Sequence, residues 1–125
     1  MTIRVGVTGA AGRMGRAIIE LLAEADDLAF CAAIEQPGSD FIGADAGETA
    51  NVGKLDVAIT DTLSTELDRL DVLIDFSHPS SAPENARQCA AAGRRVVIGT
   101  TGLSEPERGG VISAGEESAI VLAKR

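Results

Sequence analysis

Gly9, Gly12 and Gly15 stand three apart in the run Val7-Thr8-Gly9-Ala10-Ala11-Gly12-Arg13-Met14-Gly15, immediately after the apolar segment that begins at Ile3. Glycines placed so can hold phosphate. Gly9 permits a tight turn, Gly12 lets the backbone approach a pyrophosphate, and Gly15 lets the following helix pack against the strand. The N–H groups of Ala10, Ala11, Arg13 and Met14 then surround a helix start that faces an anion. The spacing is G-x-x-G-x-x-G rather than the commoner G-x-G-x-x-G. Glu35 lies ~20 residues beyond the last glycine, where a dinucleotide-binding sheet places the carboxylate that accepts the adenosine ribose hydroxyls.

Two further stretches could face the same ligand. Gly99-Thr100-Thr101-Gly102 offers two hydroxyls and several N–H groups between glycines, a surface suited to a nicotinamide amide or a substrate carboxylate. Thr101 is the candidate for contact with substrate. Phe76 ends an apolar run that Ser77 follows, and both are expected beside the cofactor, while Asp75 reads either as a cleft residue or as a carboxylate that holds loop N–H groups. His78 is the one histidine in the chain. It has no partner acid or nucleophile recognisable in sequence, so no catalytic residue is assigned. Cys31 and Cys89 read as small apolar core fillers, and with no C-x-x-C pair and no ligand cluster no metal is expected.

The elements that must position these groups follow from periodicity. Ile3 to Thr8 reads as a strand, and Met14, Ala17, Ile18, Leu21 and Leu22 form one apolar helical face ending near Ala25. A second strand spans about Leu28 to Ile34. Residues 36 to 54 are rich in Gly, Asp, Ala and Ser and read as a long loop, either touching the cofactor's adenosine end or simply solvated. Asp56 to Ile59 resembles a short strand and Thr62 to Leu70 a short helix. Val72 to Phe76 is the continuous apolar run of a central parallel strand. Ser81-Ala82-Pro83-Glu84 fits a capping box for a helix running to about Ala92 and stopping at Gly93. Arg95 to Ile98 is the fifth strand, Ser104 opens a helix weakened by Gly109, Gly110 and Gly115, and Ala119 to Leu122 is the sixth. The expected fold is α/β, a doubly wound, Rossmann-type, mostly parallel six-stranded sheet with helices on both faces, residues 1–125 forming one dinucleotide-binding domain.

Composition narrows the function classes. The chain has 125 residues, 45% hydrophobic and 24% charged, with a net charge of −8. No basic face is available for a nucleic-acid backbone, so no nucleic-acid partner is expected. No apolar run reaches membrane-span length and no signal peptide precedes the first strand, which points to a cytoplasmic protein without a membrane partner. Tyrosine is absent, and that argues against a short-chain dehydrogenase or sugar epimerase, whose chemistry needs a Tyr-x-x-x-Lys pair. A module that senses dinucleotide without chemistry stays open as the alternative function.

With the glycine run, Glu35, Ile74-Asp75-Phe76-Ser77-His78-Pro79, Val97-Ile98-Gly99-Thr100-Thr101-Gly102 and Asp45-Ala46-Gly47-Glu48 in that order, the chain resembles the dihydrodipicolinate reductase (4-hydroxy-tetrahydrodipicolinate reductase) family. The resemblance implies an oxidoreductase of the diaminopimelate route to lysine that reduces a small cyclic imine dicarboxylate with NADH or NADPH. It implies that Gly9 to Gly15 hold the pyrophosphate with Arg13 near the adenosine phosphates, that Glu35 holds the ribose, and that Gly99 to Thr101 meet the nicotinamide and the substrate's edge. The family commonly carries an arginine after the ribose acid. Here Gln36 stands there, which favours NADH or dual use. The family also continues into a substrate and tetramerisation domain with a His-His pair and a lysine, whereas this sequence stops at Lys124-Arg125. The expectation is a nucleotide-binding domain that is neither catalytically competent nor tetrameric by itself.

Overall fold

The computed structural model describes residues 2–99 and the backbone of 120–122. Strands β1 (Ile3–Thr8), β2 (Leu28–Ile34), β3 (Ile59–Thr60), β4 (Val72–Asp75), β5 (Arg95–Ile98) and β6 (Ile120–Leu122) form one sheet in the order β3-β2-β1-β4-β5-β6. Every pairing between these strands is parallel. Parallel neighbours require crossovers, and the helices α1 (Arg13–Glu24), α2 (Ala46–Thr49) and α3 (Ala82–Ala91) lie within them. The chain winds outward from β1 in one direction as far as β3, then returns past β1 to β4, so strand order reverses between β1 and β4. That reversal opens a crevice at the carboxyl ends of these two strands.

Alternation along the strands divides the core between the two faces. Val5, Val7 and Ala33 pack with Ile19 and Leu22 of α1 and with Ala46 and Ala50 around α2. Ala32, Ile34, Leu73, Val96 and Ile98 pack on the other face with Ala82, Ala86 and Cys89 of α3 and with Leu63 and Leu70. Gly6 belongs to this second face, where an added Cβ would stand 2.6 Å from Leu70 Cδ2. Leu70 therefore seats directly over the strand. Among the described residues no helix is long and apolar enough to cross a membrane.

Several local expectations are corrected. The buried line of α1 is Gly15, Ile19 and Leu22, while Met14 is 39% and Leu21 65% exposed. The helix is rotated from the expected face because Gly15 docks it against the turn at Gly9. Of the segment expected as a strand over Asp56 to Ile59, only Ile59 joins the sheet, in β3, while Ala58 makes an isolated antiparallel bridge to Asp45. Asp56 has φ 61°, a left-handed conformation incompatible with a strand. Thr62 to Leu70 forms two separate 3-10 turns, Leu63–Thr65 and Leu67–Arg69, rather than one helix.

The loop of residues 36–54 contains the short helix α2. It is capped by Asp45, whose carboxylate accepts from the N–H groups of Glu48 at 3.1 Å, Leu55 at 2.9 Å and Val57 at 3.0 Å. The capping box at Ser81 is not made: Ser81 is itself helical and caps with no side-chain bond. Glu84 turns instead to Arg87 and Gln88, because a guanidinium is the stronger partner for a carboxylate. The helix expected after Ser104 lies outside the described residues.

Candidate functional site

The turn between β1 and α1 is set by Gly9, at φ 72°, where a side chain would be strained and a Cβ would stand 2.8 Å from the Phe76 carbonyl carbon. Glycine here brings the turn against the end of β4. Ala10 is fully buried, and Ile34 O accepts the N–H groups of Gly9 at 2.9 Å and Ala10 at 3.2 Å. Ala10 thus belongs to the floor beneath the turn. Ala11 N–H donates to Glu35 Oε2 at 2.8 Å, and Gln36 N–H donates to Glu35 Oε1 at 3.1 Å. The strand-end acid and the glycine turn are therefore one hydrogen-bonded unit, brought together by the pairing of Thr8 with Ile34.

Gly12 is the N-cap of α1 and is exposed, with no side-chain capping bond and no acidic residue in the helix's first turn. An α-helix leaves its first N–H groups without internal partners and carries partial positive charge at that end. Arg13 and Met14 are exposed at this start, and Gly15 is buried behind it. Sequence reading missed Arg16. Its Nε donates to Ala11 O at 2.7 Å and its guanidinium lies 5.3 Å from the centre of the Phe41 ring, so it braces the glycine turn and ties the loop of residues 36–54 to α1.

At the end of β4, Asp75 is fully buried and reads as a structural carboxylate. It accepts from Thr8 Oγ1 at 2.5 Å, from Ser77 N–H at 2.8 Å and from Asn85 Nδ2 at 3.3 Å. Asn85 Nδ2 also donates to Ser77 Oγ at 3.2 Å. Burial, and then the Asp75 charge, push the Cys89 thiol up to about 12, so that Cys89 is a neutral core residue. Phe76 lies with its ring against Gly99, where an added Cβ would overlap it, and Gly99 N–H donates to Asp75 O at 2.8 Å. Thr100 and Thr101 lie outside the described residues. His78 is exposed; its Nδ1 accepts from Ser80 N–H at 3.2 Å and lies 2.9 Å from Ser80 Oγ. These bonds fix the ring within its own turn.

Between the two strand ends lies a cleft of about 350 Å³, within the usual size range of ligand sites. Gly9, Gly12, Glu35, Phe76 and Ser77, five of the residues singled out in the sequence, line it together. Leu63, Asn85 and Gln88 line it as well and were not anticipated. The one signal available for the last two was their spacing with Ser81 at i, i+4 and i+7, a polar line along one side of α3. Among the described residues no cluster of His, Cys, Asp and Glu suited to a metal ion occurs.

Comparison with known proteins fits this arrangement. The family described as "Dihydrodipicolinate reductase, N-terminus" matches residues 3–125. The 4-hydroxy-tetrahydrodipicolinate reductase of Alkalilimnicola ehrlichii is 46% identical over 123 residues, which cover 98% of this chain and 46% of that protein. Its namesake from Saccharophagus degradans is 52% identical over 108 residues, covering 86% of this chain and 40% of that protein. The chain thus spans less than half the length of these curated relatives. Among solved structures, dipicolinate-bound dihydrodipicolinate reductase from Paenisporosarcina sp. TG-14 superposes with a TM-score of 0.77 at 20% identity, over 100% of this chain and 48% of that one. The WlbA dehydrogenase of Bordetella pertussis, in complex with NADH and UDP-GlcNAcA, superposes with a TM-score of 0.71 at 22% identity, over 98% of this chain and 36% of that one. At such identities the likeness is one of fold.

Proposed function

The chain belongs to the family of dihydrodipicolinate reductase N-terminal domains, and from that premise we propose that it binds NADH or NADPH for the reduction of a cyclic imine dicarboxylate by a longer protein. One observation carries the binding step: the uncapped start of α1 follows a glycine turn whose Ala11 N–H is joined to Glu35 beside the cleft. The pyrophosphate belongs at the N–H groups following Gly12, where the helix end favours negative charge. Glu35, held by two backbone N–H groups, retains lone pairs for the ribose hydroxyls. The nicotinamide end belongs toward β4 and β5, beside Phe76, Ser77 and Gly99, and Thr100 and Thr101 are the residues proposed for contact with it and with the substrate's edge. A bound reduced nicotinamide supplies the hydride, and the residues described here bind and orient it.

Selectivity for the cofactor follows from Glu35. A 2′-phosphate beside its carboxylate meets repulsion of about 1 to 4 kcal/mol over the range of effective dielectric constants between water and a protein surface, and Gln36 offers no compensating charge. NADH is therefore preferred or equalled, with the exposed Arg13 the nearest candidate to offset the phosphate. By itself the chain is catalytically silent, since proximity and proton donation each lower a barrier by several kcal/mol and His78, the one imidazole, is bound into its own turn. Titration followed by the fluorescence of the reduced nicotinamide is expected to give NADH binding in the low-micromolar to millimolar range, and absorbance with substrate generated in situ is expected to show no turnover. NADPH binding more than tenfold tighter than NADH would refute the role given to Glu35, and robust turnover lost on His78→Ala would refute that given to His78.

A further inference from the structure

Asp61 stands immediately after β3, at the carboxyl end of the sheet, and lines the cleft together with Glu35, Gln36 and Pro37. Strand register brings it there. Ile34 pairs with Thr60, and the next N–H of the chain, that of Glu35, donates to Thr60 O at 2.8 Å. One step on in the same register Asp61 comes beside Glu35, with about 4.8 Å between the two main chains. The two acids are held differently. Glu35 accepts the N–H groups of Ala11 and Gln36. Asp61 is exposed, and its Oδ1 accepts the hydroxyl of Thr62 at 2.9 Å. Of the arginines at the start of α1, Arg16 is held by Ala11 O and the Phe41 ring. Among the described residues neither Arg16, nor Arg13, nor any other cation forms an ion pair with Asp61. Its charge therefore acts on whatever occupies the cleft.

We propose that Asp61 discriminates against a 2′-phosphate, so that two strand ends and not one set the preference for NADH. The assignment rests on the dinucleotide reading above and adds to it a residue that governs which cofactor is accepted. With the ribose hydroxyls at Glu35, a group on the 2′ position lies within about two strand spacings, on the order of 10 Å, of the end of β3. A phosphate monoester carries about −1.5 to −2 charges at neutral pH. Over that distance, through solvent and protein surface, its repulsion by one carboxylate changes an affinity about three- to fivefold at low salt. NADH has the same pyrophosphate without a charge at the 2′ position, so the ratio of the two affinities isolates the effect. Asp61 also differs from Glu35 in kind: it acts at a distance and holds no part of the ribose, so removing its charge leaves NADH binding in place.

The test measures the ratio of NADPH to NADH affinity by the same fluorescence titration, at about 0.02 M salt, where charges are screened least. Asp61→Asn keeps the size of the side chain and an acceptor for Thr62 while removing the charge. It should raise the ratio about three- to fivefold, with NADH affinity held within about twofold. Asp61→Lys changes the charge by twice as much and should raise the ratio about ten- to 25-fold, a graded response that loss of a merely structural carboxylate would not give. Both gains should shrink at about 0.5 M salt, where exposed charges this far apart are screened. Asp26→Asn removes an equal charge from an exposed residue just before β2, at the other end of the sheet, and should leave the ratio unchanged. If one Asp61 variant fails to fold by far-UV circular dichroism, the other decides. A ratio that a folded Asp61 variant leaves unmoved, or that Asp26→Asn moves as far, overturns the role of Asp61 while the dinucleotide site stands. Failure of the unsubstituted chain to bind either cofactor overturns that site, and this inference with it.

Discussion

Gly15→Ala and Gly12→Val are expected to fail in different ways, because the two glycines sit against different surroundings. A Cβ at Gly15 would overlap the Gly9 carbonyl oxygen and stand 2.8 Å from Gly9 C and 2.9 Å from Ala10 Cα. All three are main-chain atoms that cannot swing aside, so α1 must lift from the turn. Overpacking of this kind costs about 1 to 3 kcal/mol, while alanine recovers about 1 kcal/mol of helix propensity. With backbone on every side the clash lies at the upper end of that range, and a net loss of about 2 kcal/mol is expected, a fall of about 6 to 12 °C in Tm for a domain of this size. Gly12 has ordinary extended backbone at φ −78° and ψ 172°, and its Cβ would meet only Gly9 O at 3.3 Å. Gly12→Val, which replaces a favoured N-cap residue, should cost about 0.5 to 1 kcal/mol, less than Gly15→Ala, yet lose NADH, because the branched side chain covers the N–H groups that start α1. Far-UV circular dichroism follows unfolding in a chain without Trp or Tyr, and NADH fluorescence follows binding. A wild-type midpoint for Gly15→Ala, or wild-type binding by Gly12→Val, would refute the division of roles.

Acid unfolding should involve Asp71. The side-chain hydrogen bonds of Arg4, then its backbone N–H, hold Asp71 at about 2, below the usual carboxylate value of about 3.9. A depressed folded-state pKa contributes stability above the unfolded value that is lost as the pH falls from about 4 through 2. Asp71→Asn should flatten the pH dependence in that window, the effect being small because both side chains are more than 40% exposed; urea unfolding at pH 2 to 5 with an unchanged slope would contradict this. Asp45→Ala removes the acceptor of three backbone N–H groups. The loss of one cap and the orphaning of two further donors should cost about 2 to 3 kcal/mol, and a urea midpoint shift equivalent to less than about 0.5 kcal/mol would count against the anchoring role.

What could be read in the sequence was whatever local sterics decide. Gly9 needs a left-handed turn, Glu35 ends an apolar strand, and apolar runs such as Val72 to Ile74 belong to a doubly covered sheet; each is visible in a few neighbouring residues. The face of α1 was not, since a helix with apolar residues at 14, 18, 19, 21 and 22 offers two adjacent stripes. The residue that chooses between them is Gly15, which carries no hydrophobic signal. The cap at Ser81 was misread because a sequence pattern does not show that Arg87 competes for Glu84. Asn85 and Gln88 were missed for a related reason: polar residues on a helix read as solvated until the sheet that they face is known.

The separation between the glycines and the acid follows from strand register. Thr8 pairs with Ile34, so Ile34 O takes the N–H groups of Gly9 and Ala10 and Glu35, the residue just after β2, comes opposite Ala11. The intervening α1 and its flanking turns only have to be long enough to bring β2 back parallel to β1. The carboxylate is thereby fixed by backbone pairing that ends one residue before it, and not by packing of its own side chain. A ligand that takes the free lone pairs of Glu35 on one side and the N–H groups of α1 on the other would bridge two groups already held at a set separation. That leaves little conformational freedom to be lost on binding, which is the condition for affinity from a few polar contacts.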